Sequence, residues 1–183
     1  MLQSTVQIIA MALALLAHSC AAIWEPAPET LASGSWVLHP PDGWMRLTTP
    51  TYEMLSRDGP YLQYIFIQEQ PLEQGLRNTR QKMTSGMLPH EAAAVISDTL
   101  KSDPHIRNFR LLKSGLAKLG GKLGFRLIYT YTDNQGVDTR CAHYGVILPK
   151  TFFSIRYTAA QRYYFDKDAQ TFEAVLTSIS FTE

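Results

Sequence analysis

The sequence predicts an α+β fold, in which helices flank an antiparallel sheet. Three consecutive segments of the carboxy-terminal half alternate apolar and polar residues and are joined by short turn sequences, as in a strand meander. Two other segments place apolar residues on one face at helical spacing. The chain has 183 residues, of which 45% are hydrophobic, and this suits one globular domain with its own core.

The first predicted strands are short. Residues 35–39 and 44–48 are expected to form two short strands around a turn at Pro40–Gly43, because Pro-Pro-Asp-Gly fixes φ and then supplies a residue that tolerates positive φ. Residues 61–68 form a third strand with large apolar or aromatic side chains on both faces. Both sides of the sheet are therefore expected to be at least partly covered at this strand.

Two helices are predicted, one central and one closing the chain. Residues 89–102 begin with Pro89 at the first helical position and carry Lys101 in the last turn. In the closing helix Asp166 or Asp168 can cap the amino terminus. Its apolar stripe consists of Phe172, Val175, Leu176 and Ile179. This helix is expected to lie on the sheet, since only the sheet can cover that stripe.

The remaining strands follow the central helix. A strand at residues 109–114 leads into the glycine-rich stretch 118–124, which lacks the spacing of a P-loop and has no helix after it. We therefore predict a turn there rather than a phosphate site. The strands of the meander are residues 124–132, 139–148 and 151–159, joined by short hairpin turns.

The amino terminus differs from the rest of the chain. Ile8–Ala17 is a run of ten residues without a charge, whereas a membrane-spanning helix needs roughly 20. A run of this length is typical of the apolar core of a secretory signal, although no Lys or Arg precedes Arg46. We predict that residues 1–19 are a signal peptide; an uncleaved anchor and a buried helix are the alternatives.

The residues after this run resemble the lipobox of bacterial lipoproteins. Ala17-His18-Ser19-Cys20 has a small residue before a Cys, although Ala17 and His18 depart from the preferred residues. The resemblance implies that Cys20 receives a diacylglyceryl group and that a lipid bilayer is a partner. Because Ala21 is not the Asp that retains such proteins in the inner membrane of enteric bacteria, it also implies an outer membrane, facing the periplasm.

The domain boundaries follow from the lipobox. Residues 20–30 contain two Pro and are expected to form an extended tether, followed by a single domain at residues 31–183. Cleavage by an ordinary signal peptidase, which would release a soluble protein, is one alternative. A disulfide between Cys20 and Cys141 is another, because exported proteins meet an oxidising compartment.

The sequence contains few residues with recognisable chemistry. No G-x-S-x-G, HExxH, CxxC or EF-hand pattern occurs, so neither an enzyme nor a cofactor is predicted. Cys141 and His143 share one face of a strand and could ligate zinc or copper, but no third ligand is near in sequence, and we predict packing and no metal. The net charge of +1 gives no reason to expect nucleic acid as a partner.

Arginine and tyrosine side chains are concentrated in the last three strands. Arg126, Arg156, Tyr129 and Tyr157 could line a groove for an acidic or aromatic ligand. The alternative is a half-exposed sheet on which the arginine stems lie along apolar surface.

The order of these elements resembles the PsbP-like superfold. The residues that carry the resemblance are Pro41–Trp44, Gly121–Tyr131, Phe153–Ala159 and Phe172–Phe181. The fold is shared by photosystem II extrinsic proteins, a Ran-binding import factor and many bacterial lipoproteins. It implies an α/β/α sandwich around an antiparallel sheet, and it implies no single activity.

These observations together predict a membrane-anchored cell-envelope lipoprotein that acts without catalysis, as a binding or assembly accessory with an envelope protein partner. One alternative is a soluble exported ligand-binding module. The other is a secreted hydrolase or metal enzyme, which would need Cys141, His143 and another His to meet in a cleft.

Overall fold

The computed structural model describes residues 23–76, 79 and 81–182. The predicted signal peptide, residues 1–19, and Cys20 lie outside the described residues. The strands are β1 (Glu25–Pro26), β2 (Leu31–Ser33), β3 (Trp36–Leu38), β4 (Met45–Thr48), β5 (Glu53–Ser56), β6 (Gln63–Pro71), β7 (Arg107–Leu119), β8 (Lys122–Thr132), β9 (Asp138–Ile147), β10 (Thr151–Ala160) and β11 (Ser180–Phe181). The described helices are α1 (Pro89–Lys101) and α2 (Tyr164–Ser178).

An antiparallel sheet dominates the fold. Among the described residues, eight strands pair in the order β1-β4-β5-β6-β10-β9-β8-β7, and β11-β3-β2 form a second, smaller sheet. The predicted meander is confirmed as β8, β9 and β10. Gly120 and Gly121, with φ of 50° and 78°, connect β7 to β8, which matches the turn between strands expected in the glycine-rich stretch.

Each described helix covers part of one face of the large sheet. Helix α1 packs over β7, β8 and β9, and the buried cluster on that face includes Ile96, Phe125 and Leu127. Helix α2 packs against β10, β6 and β3 on the other face, where Phe172 and Ile155 are buried. The α+β class is confirmed, although the sheet contributes more of the structure than the two helices.

The start of α1 agrees with the start predicted from the sequence. The predicted capping of α2 does not agree with the structure. Helix α1 begins at Pro89, and the backbone N–H of Leu88 donates to the Glu91 carboxylate at 2.7 Å. Helix α2 begins after Tyr163, which has φ of 84° and makes no side-chain cap. The expected capping by Asp166 or Asp168 is wrong, because the Asp168 carboxylate is buried and pairs with Arg57.

The segment expected to be a tether joins the sheet within residues 25–27. Strand β1 pairs with β4, with Glu25 opposite Arg46, and the N–H of Ala27 donates to the Trp44 carbonyl at 2.9 Å. Pro26 is tolerated there because β1 is an edge strand, where a missing N–H breaks no interior ladder. The ordered fold therefore begins before residue 31. Of the described helices, neither has the length and apolar content needed to cross a bilayer.

Candidate functional site

The α1 face of the sheet brings together residues that are distant in sequence. Arg156 on β10 lies opposite Phe66 on β6 and His143 on β9, and His143 lies opposite Leu127 on β8. These four residues form one row across the sheet, because directly paired residues point to the same side.

The next row on this face carries hydroxyl and thiol groups. Tyr64 on β6 lies opposite Thr158 on β10, Thr158 opposite Cys141 on β9, and Cys141 opposite Tyr129 on β8. Tyr131 is two residues beyond Tyr129 on the same strand and therefore on the same face.

A cavity of about 230 Å³ opens between these rows and the end of α1. Its lining includes Tyr64, Tyr129, Tyr131, Arg156, Thr158 and His105. A second cavity of about 170 Å³ shares Tyr64, Tyr131 and Thr158 with the first. The two together form one concave region, which we call the Arg156 pocket, of a size that suits a small ligand or one group of a larger ligand.

The guanidinium of Arg156 packs on an aromatic ring and has no acidic partner among the described residues. Its guanidinium stacks on the Phe66 ring, 4.2 Å from the ring centroid, and Phe66 stacks in turn on Tyr52. Within the part of the chain that the structure describes, Arg156 forms no ion pair. A half-buried guanidinium without a carboxylate partner is costly, because its desolvation is not offset.

Two carboxylates line the rim of the pocket but bind their own loops. The Asp103 carboxylate accepts from the backbone N–H of His105 at 2.9 Å. The Asp133 carboxylate accepts from the backbone N–H groups of Gln135 and Val137, both at 2.9 Å. Each carboxylate therefore stabilises a turn, and Arg156 remains the cation available to a ligand.

Two tyrosines of the pocket, Tyr129 and Tyr131, stay neutral. Burial raises the pKa of Tyr129 well above its usual value, and burial also raises the pKa of Tyr131. Both phenols therefore keep their protons throughout the physiological range and can donate hydrogen bonds to an anion. The pocket combines the Arg156 guanidinium with two neutral phenols and aromatic walls, beside the rim carboxylates of Asp103 and Asp133.

Cys141 and His143 lie beside the pocket, on the same face as predicted, but they are buried. The Cys141 sulfur lies 3.4 Å from the Thr158 hydroxyl, and burial raises the pKa of its thiol. His143 is 3% exposed, and burial, followed by the charge of Arg156, lowers its pKa to about 3. In the described ranges no three His, Cys, Asp or Glu side chains are placed to hold a metal ion.

The predicted groove of Arg126, Arg156, Tyr129 and Tyr157 is corrected by the structure. Arg156 and Tyr129 lie on the α1 face, whereas Arg126 and Tyr157 lie on the α2 face. The Tyr157 hydroxyl is directed into the core and donates to the Tyr164 carbonyl at 2.6 Å. Adjacent residues of a strand point to opposite faces, so the neighbours Arg156 and Tyr157 could have been separated from the sequence alone.

Sequence reasoning missed Tyr64 and Tyr131 as pocket residues. The alternation of β8 places Tyr131 with Tyr129, and that signal was available in the sequence. Tyr64 lies beside the other pocket residues only because β6 pairs with β10. Its partner Thr158 is more than 80 residues away in the sequence. Local patterns carry no information on such a pairing.

Comparison with solved structures identifies the fold as PsbP-like. The chain is similar to cyanobacterial PsbP from Synechocystis sp. PCC 6803, with a TM-score of 0.54 and 12% identity over 91% of this chain and 99% of that chain. It is similar to the Ran-binding protein Mog1p of Saccharomyces cerevisiae, with a TM-score of 0.52 and 11% identity over 88% of this chain and 95% of that chain. The predicted resemblance is confirmed at the level of the fold.

A third solved structure of this fold is LpqN of Mycobacterium tuberculosis, described as involved in cell envelope biogenesis. Its TM-score is 0.51, with 16% identity over 88% of this chain and 91% of that chain. No protein-family model matches the sequence, and no curated protein sequence matches it either.

Proposed function

We propose that this protein is a lipid-anchored cell-envelope protein that acts by binding rather than by catalysis, and that the Arg156 pocket receives an anionic group of its ligand. The observation that carries the proposal is the unpaired guanidinium of Arg156 in a tyrosine-lined cavity. An anion bound there would offset the desolvation of the guanidinium, which forms no ion pair with a carboxylate of the described residues.

The chemistry of the pocket favours a carboxylate or a phosphate. A guanidinium presents donors in a planar fork that matches the oxygens of either group. Tyr64, Tyr129 and Tyr131 add aromatic surface, which suits a ring attached to the anion, such as a sugar acid or an aromatic acid. The cavity of about 230 Å³ suits one such ring and its anionic group.

The proposed location depends on Cys20. Its lipobox-like context supports acylation, with the domain held at the outer membrane on the periplasmic side and close to an envelope protein partner. The same fold in LpqN, a protein described as involved in cell envelope biogenesis, supports an envelope role. A single acyl chain anchors a protein only marginally, so stable attachment requires the multiply acylated form expected for a lipoprotein.

Ligand binding can be tested with simple oxyanions. We would titrate the protein with inorganic phosphate, glucuronate and benzoate and follow backbone NMR shifts around Tyr129 and Tyr131. We expect at least one of the three to shift these resonances saturably, and Arg156→Met to weaken that binding by at least about tenfold. Arg162→Met is the matched control, because Arg162 is exposed and outside the lining of the pocket.

Two results would contradict the pocket assignment. One is that none of the three probes shifts the pocket resonances. The other is that Arg156→Met and Arg162→Met bind the probes equally well, because the anion would then be attracted by net charge alone.

The anchor is tested separately by mass spectrometry of the mature protein isolated from cells. A diacylglyceryl-modified Cys20 at the amino terminus is the expected result. An unacylated terminus at another residue would exclude the anchor and favour the soluble exported module, for which the same pocket would be the ligand site.

The secreted hydrolase or metal enzyme is not favoured by any described contact. That alternative needed Cys141 and His143 to meet a further His in an open cleft. Both side chains are instead buried in the sheet, within its packed α1 face.

A further inference from the structure

The second cavity of the Arg156 pocket differs in chemistry from the first. The first cavity, of about 230 Å³, is lined by Arg156, whereas none of the described residues that line the second cavity, of about 170 Å³, is Lys, Arg or His. Asp133 lines both cavities. An anionic group in the second cavity would therefore have a carboxylate nearby and no cation among its lining residues, so a neutral group is favoured there.

The second cavity lies on the α1 face of the sheet, directly beside the first. Tyr131 on β8 lies opposite Thr139 on β9, and Thr139 lies opposite Ala160 on β10. These three residues form the next row of the sheet after the row that contains Thr158, and all three line the second cavity. Thr158 lines both cavities. A group in the second cavity is therefore the neighbour of a group held at Arg156.

Two turns form walls of the second cavity. One contains residues 60–62, and the backbone N–H of Leu62 donates to the Gly59 carbonyl at 3.0 Å. The other follows β8, and the Asp133 carboxylate accepts from two of its backbone N–H groups. Because each turn is stabilised by its own hydrogen bonds, the cavity is preformed and a ligand does not have to order its walls.

The second cavity offers an aromatic ring and side-chain amides. Tyr61 lines it and is nevertheless 77% exposed, so most of its surface is free for contact with a ligand. A tyrosine ring has an apolar face and a polar hydroxyl. Asn134 and Gln135 line the same cavity, and their amides can both donate and accept hydrogen bonds. These groups suit a neutral ring that carries hydroxyl or amide substituents.

The volumes of the two cavities support a ligand larger than one ring. Ligand pockets commonly have volumes of about 300–1,000 Å³, and neither cavity alone reaches that range. The two cavities together reach its lower part. An acid with a single ring would occupy the first cavity and leave the second without a ligand group.

We infer that the ligand of the Arg156 pocket has two rings and one anionic group, with the anionic ring in the first cavity and a neutral, hydroxyl- or amide-bearing ring against Tyr61 in the second. This inference rests on the proposed function, because Arg156 must hold the anionic group. It adds a rule of selection: a neutral extension of the acid strengthens binding, whereas an acidic extension does not.

The test compares acids with and without a second ring by calorimetric titration of the full chain. One pair is benzoate and 4-carboxyphenyl glucoside. The other pair is glucuronate and its disaccharide with N-acetylglucosamine, and a disaccharide of two glucuronates supplies the acidic extension. We expect at least one neutral extension to bind at least about fivefold more tightly than its parent acid. The disaccharide of two glucuronates should stay within about twofold of glucuronate, the statistical factor for two equivalent anionic groups.

Substitution of Tyr61 tests the second cavity separately from the first. In Tyr61→Ala the ratio between the affinities of the extended acid and its parent acid should fall to about one. Tyr163→Ala is the matched control, because Tyr163 is 67% exposed and lies outside the lining of both cavities. It should retain the wild-type ratio. Arg156→Met should weaken the binding of parent and extended acids alike, because all of them share the anionic group.

Three results would overturn the inference and leave the proposed function intact. The first is that the neutral extensions bind no more tightly than their parent acids. The second is that Tyr61→Ala retains the gain, and the third is an equal gain from the second glucuronate. If none of the acids binds, the proposed function fails together with the inference. The pair that gives the larger gain shows whether the first cavity prefers an aromatic acid or a sugar acid.

Discussion

Gly124 on β8 lies so close to Gly145 on β9 that a Cβ atom on Gly124 would be 2.2 Å from the Gly145 carbonyl oxygen. A Cβ atom on Gly145 would meet the rings of Phe125 and Phe152, at 2.6 and 2.8 Å. Gly145 therefore allows aromatic rings of the α1 face to pack directly on the backbone, and Gly124 allows β8 and β9 to approach each other closely.

We expect Gly124→Ala to lower the free energy of unfolding by about 3 kcal/mol, because the atom that it meets is backbone and cannot rotate away. Gly115→Ala is the control on the same hairpin, since a Cβ atom there has open space around it. It should change stability by less than about 0.5 kcal/mol. Urea denaturation of both variants measures the difference, and equal stabilities would contradict the close approach.

The ion pair between Arg57 and Asp168 gives a second prediction. The Asp168 carboxylate is 3% exposed and accepts from Arg57 at 2.9 Å, while the Arg57 side chain is 38% exposed. Asp168→Asn should lower the free energy of unfolding by about 2 kcal/mol, less than for a fully buried pair because water reaches the guanidinium. Asp166→Asn, at a residue 80% exposed, should have an effect below about 0.5 kcal/mol. Thermal denaturation monitored by circular dichroism distinguishes the two.

The buried His143 predicts a loss of stability in acid. Its folded pKa of about 3 lies below its ordinary value near 6.5, so in this interval the unfolded chain binds a proton that the folded chain excludes. The stability that follows from a neutral His143 is fully present above about pH 6.5. It falls by up to about 1.4 kcal/mol per pH unit on acidification towards pH 3.

His143→Leu should remove this part of the pH dependence. Both ring nitrogens are buried without partners among the described residues, so the apolar substitution leaves no unpaired group and should cost less than about 1 kcal/mol near pH 7.5. His90→Leu, at an exposed residue, should retain the wild-type slope. Urea midpoints between about pH 7.5 and pH 5 report the slopes, and parallel curves for His143→Leu and wild type would show that His143 binds its proton equally in the folded and unfolded states.

Arg156 is expected to be more important for binding than for stability. Without ligand, Arg156→Met should be as stable as the wild type or more stable by about 1 kcal/mol, because an unpaired half-buried charge is removed and only its stacking on Phe66 is lost. An oxyanion that binds the pocket should raise the melting temperature of the wild type and leave that of Arg156→Met unchanged. A loss above about 2 kcal/mol without ligand would instead give Arg156 a structural role.

The sequence predicted the parts of the fold that are determined locally. The strands of the meander differ from the predicted ones by one or two residues, because alternation and the turn glycines lie within each hairpin. Strands β1, β2, β5 and β11 were missed. Each has two to four residues and depends on contacts with other strands for its stability. For example, Arg46 on β4 forms an ion pair with Glu53 on β5 at 2.8 Å.

The site was predicted less well than the fold. Arg156 and Tyr129 were identified as candidates, but the groove combined residues from both faces of the sheet. The unpaired state of Arg156 depends on where Asp103 and Asp133 direct their carboxylates, which is set by the turns that follow α1 and β8. The spacing of residues in the sequence does not predict the directions of these two carboxylates.

The pairing of β1 with β4 limits how far the domain can stand from the membrane if Cys20 is acylated. Glu25 is the fifth residue after Cys20, and a fully extended chain of five residue steps spans at most about 18 Å. Strands β1 and β7 lie at opposite edges of the large sheet, seven strand spacings or about 34 Å apart. With a lipid on Cys20, the β1 edge of the large sheet would therefore lie close to the bilayer, and the β7 edge would lie up to about 34 Å further from it.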